Sequence, residues 1–302
     1  MNIFTSKDND RIRLRPKKIL ITGHRGFIGR HILASIPSYC DVTCIDIQDG
    51  DDAIDFFRED NTRFDQAFHC AAYVGGRKGI DNTPLKIATN VALDSWYFQW
   101  LAKSQTRHGI YYSSSAAYPT EYQLQPMRLK ESDIDLAHPR RPDEMYGWVK
   151  LTGEIMAQYA ESQGCRVHIF RPFSGYGTDQ DLDYPFPSFI ERAMEQKNPF
   201  EIWGNGNQVR DWIHVDDIVQ ATHEAVLHDI KGPINLGSGQ PTTFNELADI
   251  VCKAVDYKPK KKYISEAPTG VSYRCSDNEK MLSFYEPKIT LEMGVERAVR
   301  GL

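Results

Sequence analysis

The chain has 302 residues, 41% of them hydrophobic, and a formal net charge of −5. That length supports a sizeable core, as one large α/β domain or as a domain with a smaller appendage. The composition excludes a disordered chain, the acidic balance gives no electrostatic basis for nucleic-acid binding, and no run reaches the roughly 18 apolar residues of a membrane span.

The opening "MNIFTSKDNDRIRLRP" lacks the apolar core of a signal peptide and reads as a loose lead-in. "KKILITG" is a short β-branched run ending in glycine, the pattern of a buried strand. "FIGRHILASI" has apolar residues at helical spacing and is ended by Pro37. Strand "DVTCIDI", short helix "DDAIDFFRED" and strand "FDQAFHCAA" follow. Residues 83–105 form one long helical pattern, apolar on more than one face. "GIYYSSSAAY" is a strand running into a serine-rich turn, "MYGWVKLTGEIMAQYAESQG" a helix and "CRVHIFRPF" a strand. The β-α alternation implies parallel strands with crossover helices, an α/β fold of the Rossmann type with a doubly wound parallel sheet.

After Phe173 the texture changes. "SGYGTDQDLDYPFP" reads as a long loop. Helix "SFIERAMEQK", strand "FEIWG", turn "NGNQ", the 209–228 segment and the late strand "GPINLGSG" follow. "TFNELADIVCKAV" opens with a capping-box pattern at Thr243 and Glu246. The expected division is a Rossmann domain over residues 1–173 and a smaller C-terminal α+β substrate-binding lobe over 174–302, with segments near 205–240 returning to the first. The run Lys258, Lys260, Lys261 and Lys262 reads as a solvated turn. Six cysteines without CxxC spacing read as reduced thiols in a cytoplasmic protein, and their spacing does not suggest a metal site.

Gly23, Gly26 and Gly29 lie between a strand and a helix, the context a dinucleotide fingerprint requires. Gly23 suits the tight turn, Gly26 lets a pyrophosphate approach the helix N-terminus, and Gly29 permits close packing of the helix. Asp46 ends the second strand, where an acid can bind the adenosine ribose hydroxyls and repel a 2′-phosphate; this favours NAD over NADP. Arg25 and Arg30 lie close enough in sequence to weaken that preference. Asp46 as a simple turn cap is the alternative.

Tyr146 and Lys150 are four apart on a helix and share a face. A nearby ammonium favours a phenolate, so the tyrosine can take a hydroxyl proton while a hydride leaves the same carbon. A serine from a neighbouring strand end can hydrogen-bond that oxygen.

With these elements in place, the sequence resembles the extended short-chain dehydrogenase/reductases that act on nucleotide sugars. The stretches "TGHRGFIG", "FDQAFHCAA", "SSSAAYP", "YGWVK", "RPFSGYG", "WGNGNQVRDWIHVDD" and "INLGSG" carry the resemblance over nearly the whole chain. "GHRG", "AAYVGG" and "SSSAAYP" are most similar to the GDP-fucose synthase and GDP-mannose 3,5-epimerase branch. The resemblance implies Ser114, Tyr146 and Lys150 as catalytic residues. It implies NAD contacts from Gly23, Arg25, Gly26, Phe27, Ile28 and Gly29, from Asp46 and Ile47, from Cys70, Ala71, Ala72 and Tyr73, and from Asn90, Ser113, Tyr146, Lys150 and Phe173. For the nucleotide-diphosphate sugar it implies Val74, Gly75, Ser115, Ser174, Asp179, Trp203, Arg210 and Arg274. Arg77 and Lys78 could bind a carboxylate or phosphate. It also implies a homodimer through the 89–103 and 146–162 helices.

The departures narrow the reaction. The 3,5-epimerising relatives carry an acid/base cysteine where this chain has Ala116, and the 4,6-dehydratases carry Asp-Glu where it has Ser115-Ala116. The remaining set suffices for a 4-epimerase, which oxidises C4 transiently and returns the hydride to the other face. The alternatives are a 4-keto-sugar reductase or an epimerase at another carbon, with Asp179, Asp181 or Asp183 as base, and, in a different class, a non-catalytic dinucleotide-binding module.

Overall fold

The computed structural model describes residues 17–301, except for the side chain of Lys78, and the expected lead-in lies outside the described residues. The first half runs β1 (Lys18–Thr22), α1 (Phe27–Ser35), β2 (Asp41–Ile45), α2 (Ala53–Glu59), β3 (Gln66–His69), α3 (Arg77–Asn82), α4 (Pro84–Ala88), α5 (Asn90–Ser104), β4 (His108–Tyr112), β5 (Arg128–Leu129), α6 (Glu144–Ser162) and β6 (Val167–Pro172). The second half runs β7 (Ser174–Tyr176), α7 (Pro185–Met194), β8 (Phe200–Trp203), β9 (Val209–His214), α8 (Val215–Leu227), β10 (Ile234–Leu236), β11 (Pro241–Thr243), α9 (Phe244–Ala254), β12 (Lys261–Ile264), β13 (Tyr273–Ser276), α10 (Glu279–Leu282) and α11 (Leu291–Arg300).

Six strands form one parallel sheet in the order β10-β6-β4-β3-β1-β2. The chain leaves β1 toward β2 on one side and returns to β3 on the other, so the order reverses beside β1. A crevice opens there at the carboxyl ends of the strands. One apolar layer, with Ile32, Ile218 and Ala225, covers one face of the sheet. A second, with Tyr97, Trp100, Leu101 and Ala157, covers the other. The aromatic residues of α5 are thus used within the chain: Tyr97, Phe98 and Trp100 are buried, whereas Trp148 and Tyr159 on α6 are exposed. A five-strand sheet, with β11-β9-β13-β5 in line and β7 added on β9, and the parallel pair β12-β8 build the remainder. A separate core around Phe186, Phe189, Phe200 and Leu247 lies beneath it.

Several expectations are corrected. The 83–105 helix is two helices, because the Thr89 N–H and hydroxyl both bond to the Lys86 carbonyl while the Asn90 side chain is drawn to the backbone of Tyr73. Helix α3, in "RKGIDN", has too little apolar periodicity to announce itself. The 174–187 loop contains β7 and the start of α7, where Pro185 takes the first helical position. The lysine run is a solvated stretch only in part: Lys258 and Lys260 are exposed ahead of β12, whereas Lys261 and Lys262 begin β12 and pair with Asp249 (2.7 Å) and Glu201 (3.0 Å). The capping box at Thr243 and Glu246 forms as its spacing requires.

One buried ion pair ties the sheet to the helix that carries Tyr146. Arg171 on β6 donates to Glu154 on α6 through Nε (2.9 Å) and Nη2 (2.7 Å), both side chains being almost wholly buried. Removing one partner strands the other charge in the core. Arg171→Leu is therefore expected to lower unfolding stability by about 3–5 kcal/mol, measured by urea denaturation; a loss within 1 kcal/mol or so would contradict this account.

Candidate active site

The crevice begins where β1 ends. Gly23 takes φ +71°, and a Cβ there would lie 2.5 Å from the Ala71 nitrogen, so both its conformation and the approach of the segment after β3 demand glycine. Gly26 is the N-cap of α1 and offers no side chain to cap it. The first N–H groups of that helix therefore remain available to a ligand. Gly29 packs directly on the Gly23 carbonyl, where any Cβ would collide. The close approach expected of Gly29 is thus to the turn itself.

A cavity of about 600 Å³ extends from Gly26, Phe27 and Ile28 past Cys70, Ala71 and Ala72 to Arg210 and Arg274. Ser113, Ser114, Ser115, Tyr146, Lys150, Phe173 and Ser174 line its middle, with Val74 and Gly75 on one wall and Trp203 toward the far end. The geometry around Tyr146 follows from helix docking. The Asp143 N–H donates to the Ala116 carbonyl (2.9 Å), and Gly147 meets that same carbonyl where a Cβ would not fit. This seats the first turn of α6 on the serine turn. Glu144 at its start takes φ 51°, a costly conformation for a residue with a Cβ. The Lys150 ammonium lies 5.9 Å from the Tyr146 ring centroid and 5.1 Å from that of Tyr111.

The three serines are distinguished by their partners. Ser113 Oγ donates to Glu154 (2.5 Å) and is committed to the buried ion pair. Ser114 Oγ accepts the Ala116 N–H (3.1 Å), which leaves its own proton free to donate. Ser115 is buried in the short turn that follows.

At the far end Asp143 is held between two arginines, Arg77 Nη1 (2.8 Å) and Arg274 Nη2 (2.7 Å). Against the push of burial, Arg274 and Arg77 hold its carboxyl below the ordinary range. Arg210 donates only to carbonyls, those of Val209, Val271 and Thr269. Burial, with Arg274 and Arg77 nearby, presses its guanidinium below the usual arginine value. A half-buried cation whose hydrogen bonds all go to carbonyls makes this end of the cavity receptive to an anion. Sequence reasoning missed Arg192, Phe189, Gln208, Tyr184 and Phe244, which also line the cavity. Tyr184, Phe189 and Arg192 come from the start and one face of α7, Phe244 from the start of α9 and Gln208 from the turn before β9, so they meet only through tertiary packing.

Gly23, Arg25, Gly29, Asp46, Ile47, Tyr73, Asn90 and Asp179 are not among the lining residues. Gly23 and Gly29 shape the turn from behind. Asp46 caps its turn, accepting the N–H groups of Gln48 and Arg25 (both 2.9 Å), one on each oxygen, so each keeps a second lone pair. Arg25 and His24 are both tied to Asp49. Ile47 is exposed. The Asn90 amide accepts the Tyr73 N–H (2.7 Å) and donates to the Tyr73 carbonyl (2.8 Å), so it braces that loop. Asp179 is bound to Arg30 and His31 on α1, which removes it from the cavity wall; Asp183 lines the wall in its place. Away from the cavity, His108, His168 and Asp229 bring ligand-type atoms within 4.8 Å of one another. The two rings share a hydrogen bond (3.1 Å) and Arg166 donates to Asp229 (2.5 Å), while the buried His168 Nδ1 has no hydrogen-bond partner.

The Asp179 contact carries a pH dependence. His31 Nε2 is 3.1 Å from both Asp179 oxygens, and Nδ1 is 3.5 Å from Asp216, with Arg30 alongside. Asp216 first, then Asp179 against the effect of burial, raise His31 above its ordinary value. A raised histidine stabilises the fold fully below its unfolded value and loses that contribution as pH rises through the folded one. His31→Gln is expected to lower Tm relative to wild type at about pH 5.5 and to approach it at about pH 9. A deficit equal at both pH values would remove the ion pair from the account.

A parallel sheet with a glycine cradle at its switch point, opening into a largely apolar cavity with a few polar groups, defines a doubly wound dinucleotide-binding enzyme scaffold. The NAD dependent epimerase/dehydratase family profile matches residues 19–237, and the chain belongs to that family. Among curated relatives, GDP-L-fucose synthase of Sinorhizobium fredii is 27% identical over 93% of this chain and 94% of its own. GDP-mannose 3,5-epimerase 1 of Oryza sativa subsp. indica is 30% identical over 86% of this chain and 74% of its own. Among solved structures, UDP-N-acetylglucosamine 4-epimerase from Methanobrevibacter ruminantium M1, in complex with UDP-N-acetylmuramic acid, superposes with TM-score 0.81 at 24% identity, covering 95% of this chain and 98% of that one. No helix among the described residues is long and apolar enough to cross a membrane.

Proposed function

We propose that this chain is an NAD-dependent nucleotide-sugar epimerase that works through transient oxidation at sugar C4, with Tyr146 as acid/base. The observation that carries this reading is the wall around Tyr146. Ser114, Tyr146 and Lys150 line one cavity, and Ala116 lines it where the 3,5-epimerising relatives have cysteine.

The residues fit the cofactor. The Gly23 turn and the first N–H groups of α1 would hold its pyrophosphate, Asp46 the adenosine ribose, and Cys70, Ala71, Ala72 and Phe173 the remainder. When bound, NAD supplies a nicotinamide that accepts hydride from C4 and returns it. In this reading Tyr146 Oη takes the C4 hydroxyl proton, and Ser114 donates its free proton to the same oxygen. The Lys150 ammonium stabilises the phenolate. The keto sugar then turns within the cavity, and Tyr146 gives the proton back. Arg210 and Arg274 would hold the diphosphate during that turn, so that only the sugar rotates. The net reaction needs no second acid/base and leaves the cofactor oxidised.

Asp183 on the cavity wall favours a second reading, a 4-keto-sugar reductase or an epimerase at another carbon, with that carboxylate as base. One set of incubations separates the two. Purified enzyme is supplied with UDP-, GDP- and dTDP-sugars, and the products are resolved by NMR. A C4 epimer is expected, with turnover falling about 10²–10⁴-fold in Tyr146→Phe. Consumption of NAD(P)H by a 4-keto sugar with no C4 epimer from any donor would replace the first reading with the second. No turnover of any donor by the wild type, with Tyr146→Phe indistinguishable from it in every assay, would leave a non-catalytic dinucleotide-binding module.

The reading includes a homodimer through the α5 and α6 face, supported by exposed Trp148 and Tyr159. Sedimentation should give twice the chain mass; a single-chain mass at micromolar concentration would remove it.

A further inference from the structure

Behind Tyr146 lies a group of buried polar side chains that the proposed chemistry does not use. Asp94 on α5 is completely buried. One oxygen accepts the Tyr111 hydroxyl (2.6 Å), and the other is 3.1 Å from His69 Nε2. His69 Nδ1 lies 2.8 Å from Thr22 Oγ1. Burial presses His69 below its ordinary value despite Asp94, and Lys150 presses it in the same direction. The ring is therefore neutral, with Nε2–H donating to Asp94 and Nδ1 accepting from Thr22. Two neutral donors leave the Asp94 charge without a cation in direct contact.

Lys150 is in the converse position. Its side chain is 5% exposed, and its ammonium sits 5.1 Å from the Tyr111 ring centroid. The other ionisable groups around it do not balance its charge. Glu154, one turn further along α6, is bound bidentately by Arg171 and also accepts from Ser113. Burial pushes the Cys70 thiol up to about 12, so it stays protonated. Burial, then Asp94, raise Tyr111 well above its ordinary value, so it stays a phenol. Tyr146 lies on the cavity side, 5.9 Å from the ammonium to its ring centroid. One buried anion and one buried cation are left, the first at the hydroxyl of a single phenol and the second over its ring. The packing holds them there: Gly153, three residues after Lys150, meets the Tyr111 hydroxyl where no Cβ would fit.

We propose that Asp94 is the buried counter-charge of Lys150, a positioning residue that holds the ammonium in the cavity wall behind Tyr146 across the Tyr111 ring. An isolated buried charge is costly, and the cost falls when an opposite charge shares the same low-dielectric region. The phenol transmits this arrangement. Its hydroxyl is anchored on the anion, and its ring face carries the cation. Its functional meaning rests on the catalytic reading of Tyr146 and Lys150; the pairing itself does not.

A double-mutant cycle tests it by stability in the full chain, with no substrate required. Lys150→Met and Asp94→Asn should each lower the urea midpoint. The double variant should be no less stable than the worse of the two, because each single change strands one charge and the double strands none. Strictly additive losses would overturn the pairing. If Asp94→Asn fails to fold, the same cycle with Asp94→Ser decides the matter. Asp94→Ser should cost less urea stability in the Lys150→Met background than in wild type; an equal cost in both backgrounds would overturn the proposal. Because both readouts are of stability, they stand apart from Tyr146→Phe turnover, which tests the catalytic reading.

Discussion

The architecture depends on one contact, the approach of the turn after β1 to the chain leaving β3. Gly23 and Ala71 come so close that a single added carbon would not fit. That approach sets where the strand order reverses, and so where the crevice lies. It turns the free end of α1 toward the crevice and makes the segment from Cys70 to Ala72 its wall. Gly29 completes the contact by letting α1 rest on the same turn. Further out, Asn90 grips both backbone groups of Tyr73, so the wall continues as extended chain to Val74 and Gly75. Backbone against backbone leaves little freedom, and the cavity shape inherits that rigidity.

Buried charge is managed differently in different parts of the molecule. In the sheet, Glu154 and Arg171 compensate each other fully and add hydrogen bonds to Ser113 and Tyr118. At the far end of the cavity the compensation is incomplete: Arg77 pairs with Asp81 and Asp143, Arg274 shares Asp143, and the hydrogen bonds of Arg210 go to carbonyls. Incomplete compensation costs stability, because a buried polar or charged group without a matched partner loses its solvation energy. A site that must receive an anionic ligand has reason to tolerate that cost.

How much of this was legible in the sequence followed the range of the signal. The strands of the main sheet and helices α1, α2, α6 and α9 announce themselves by local periodicity and caps. The glycine turn and the Tyr146 and Lys150 spacing are equally local. What could not be read depends on distant partners. Asp179 and Asp183 are four residues apart in one acidic loop, yet only Asp183 faces the cavity, because Arg30 and His31 on α1 claim the other. Thr89 breaks a helix that its own sequence would continue, because Asn90 is drawn to Tyr73. The lysine run reads as a solvated turn until Asp249 and Glu201 are brought beside it. Arg192 and Phe189 become cavity residues only once α7 is docked.

The same docking explains why such a scaffold can carry several reactions. The first turn of α6 is fixed to the serine turn by backbone: the Asp143 N–H bonds to the Ala116 carbonyl, and Gly147 packs on it. Neither contact uses the side chain at position 116. The elements that set Ser114 against Tyr146 are therefore independent of whether an acid/base group is present two residues further along the turn. A side chain that lines the cavity from a backbone held in this way can change without disturbing the docking of the serine turn on α6. In this chain that side chain is a methyl group, and the chemistry left to the wall is what Tyr146 and its neighbours can do alone.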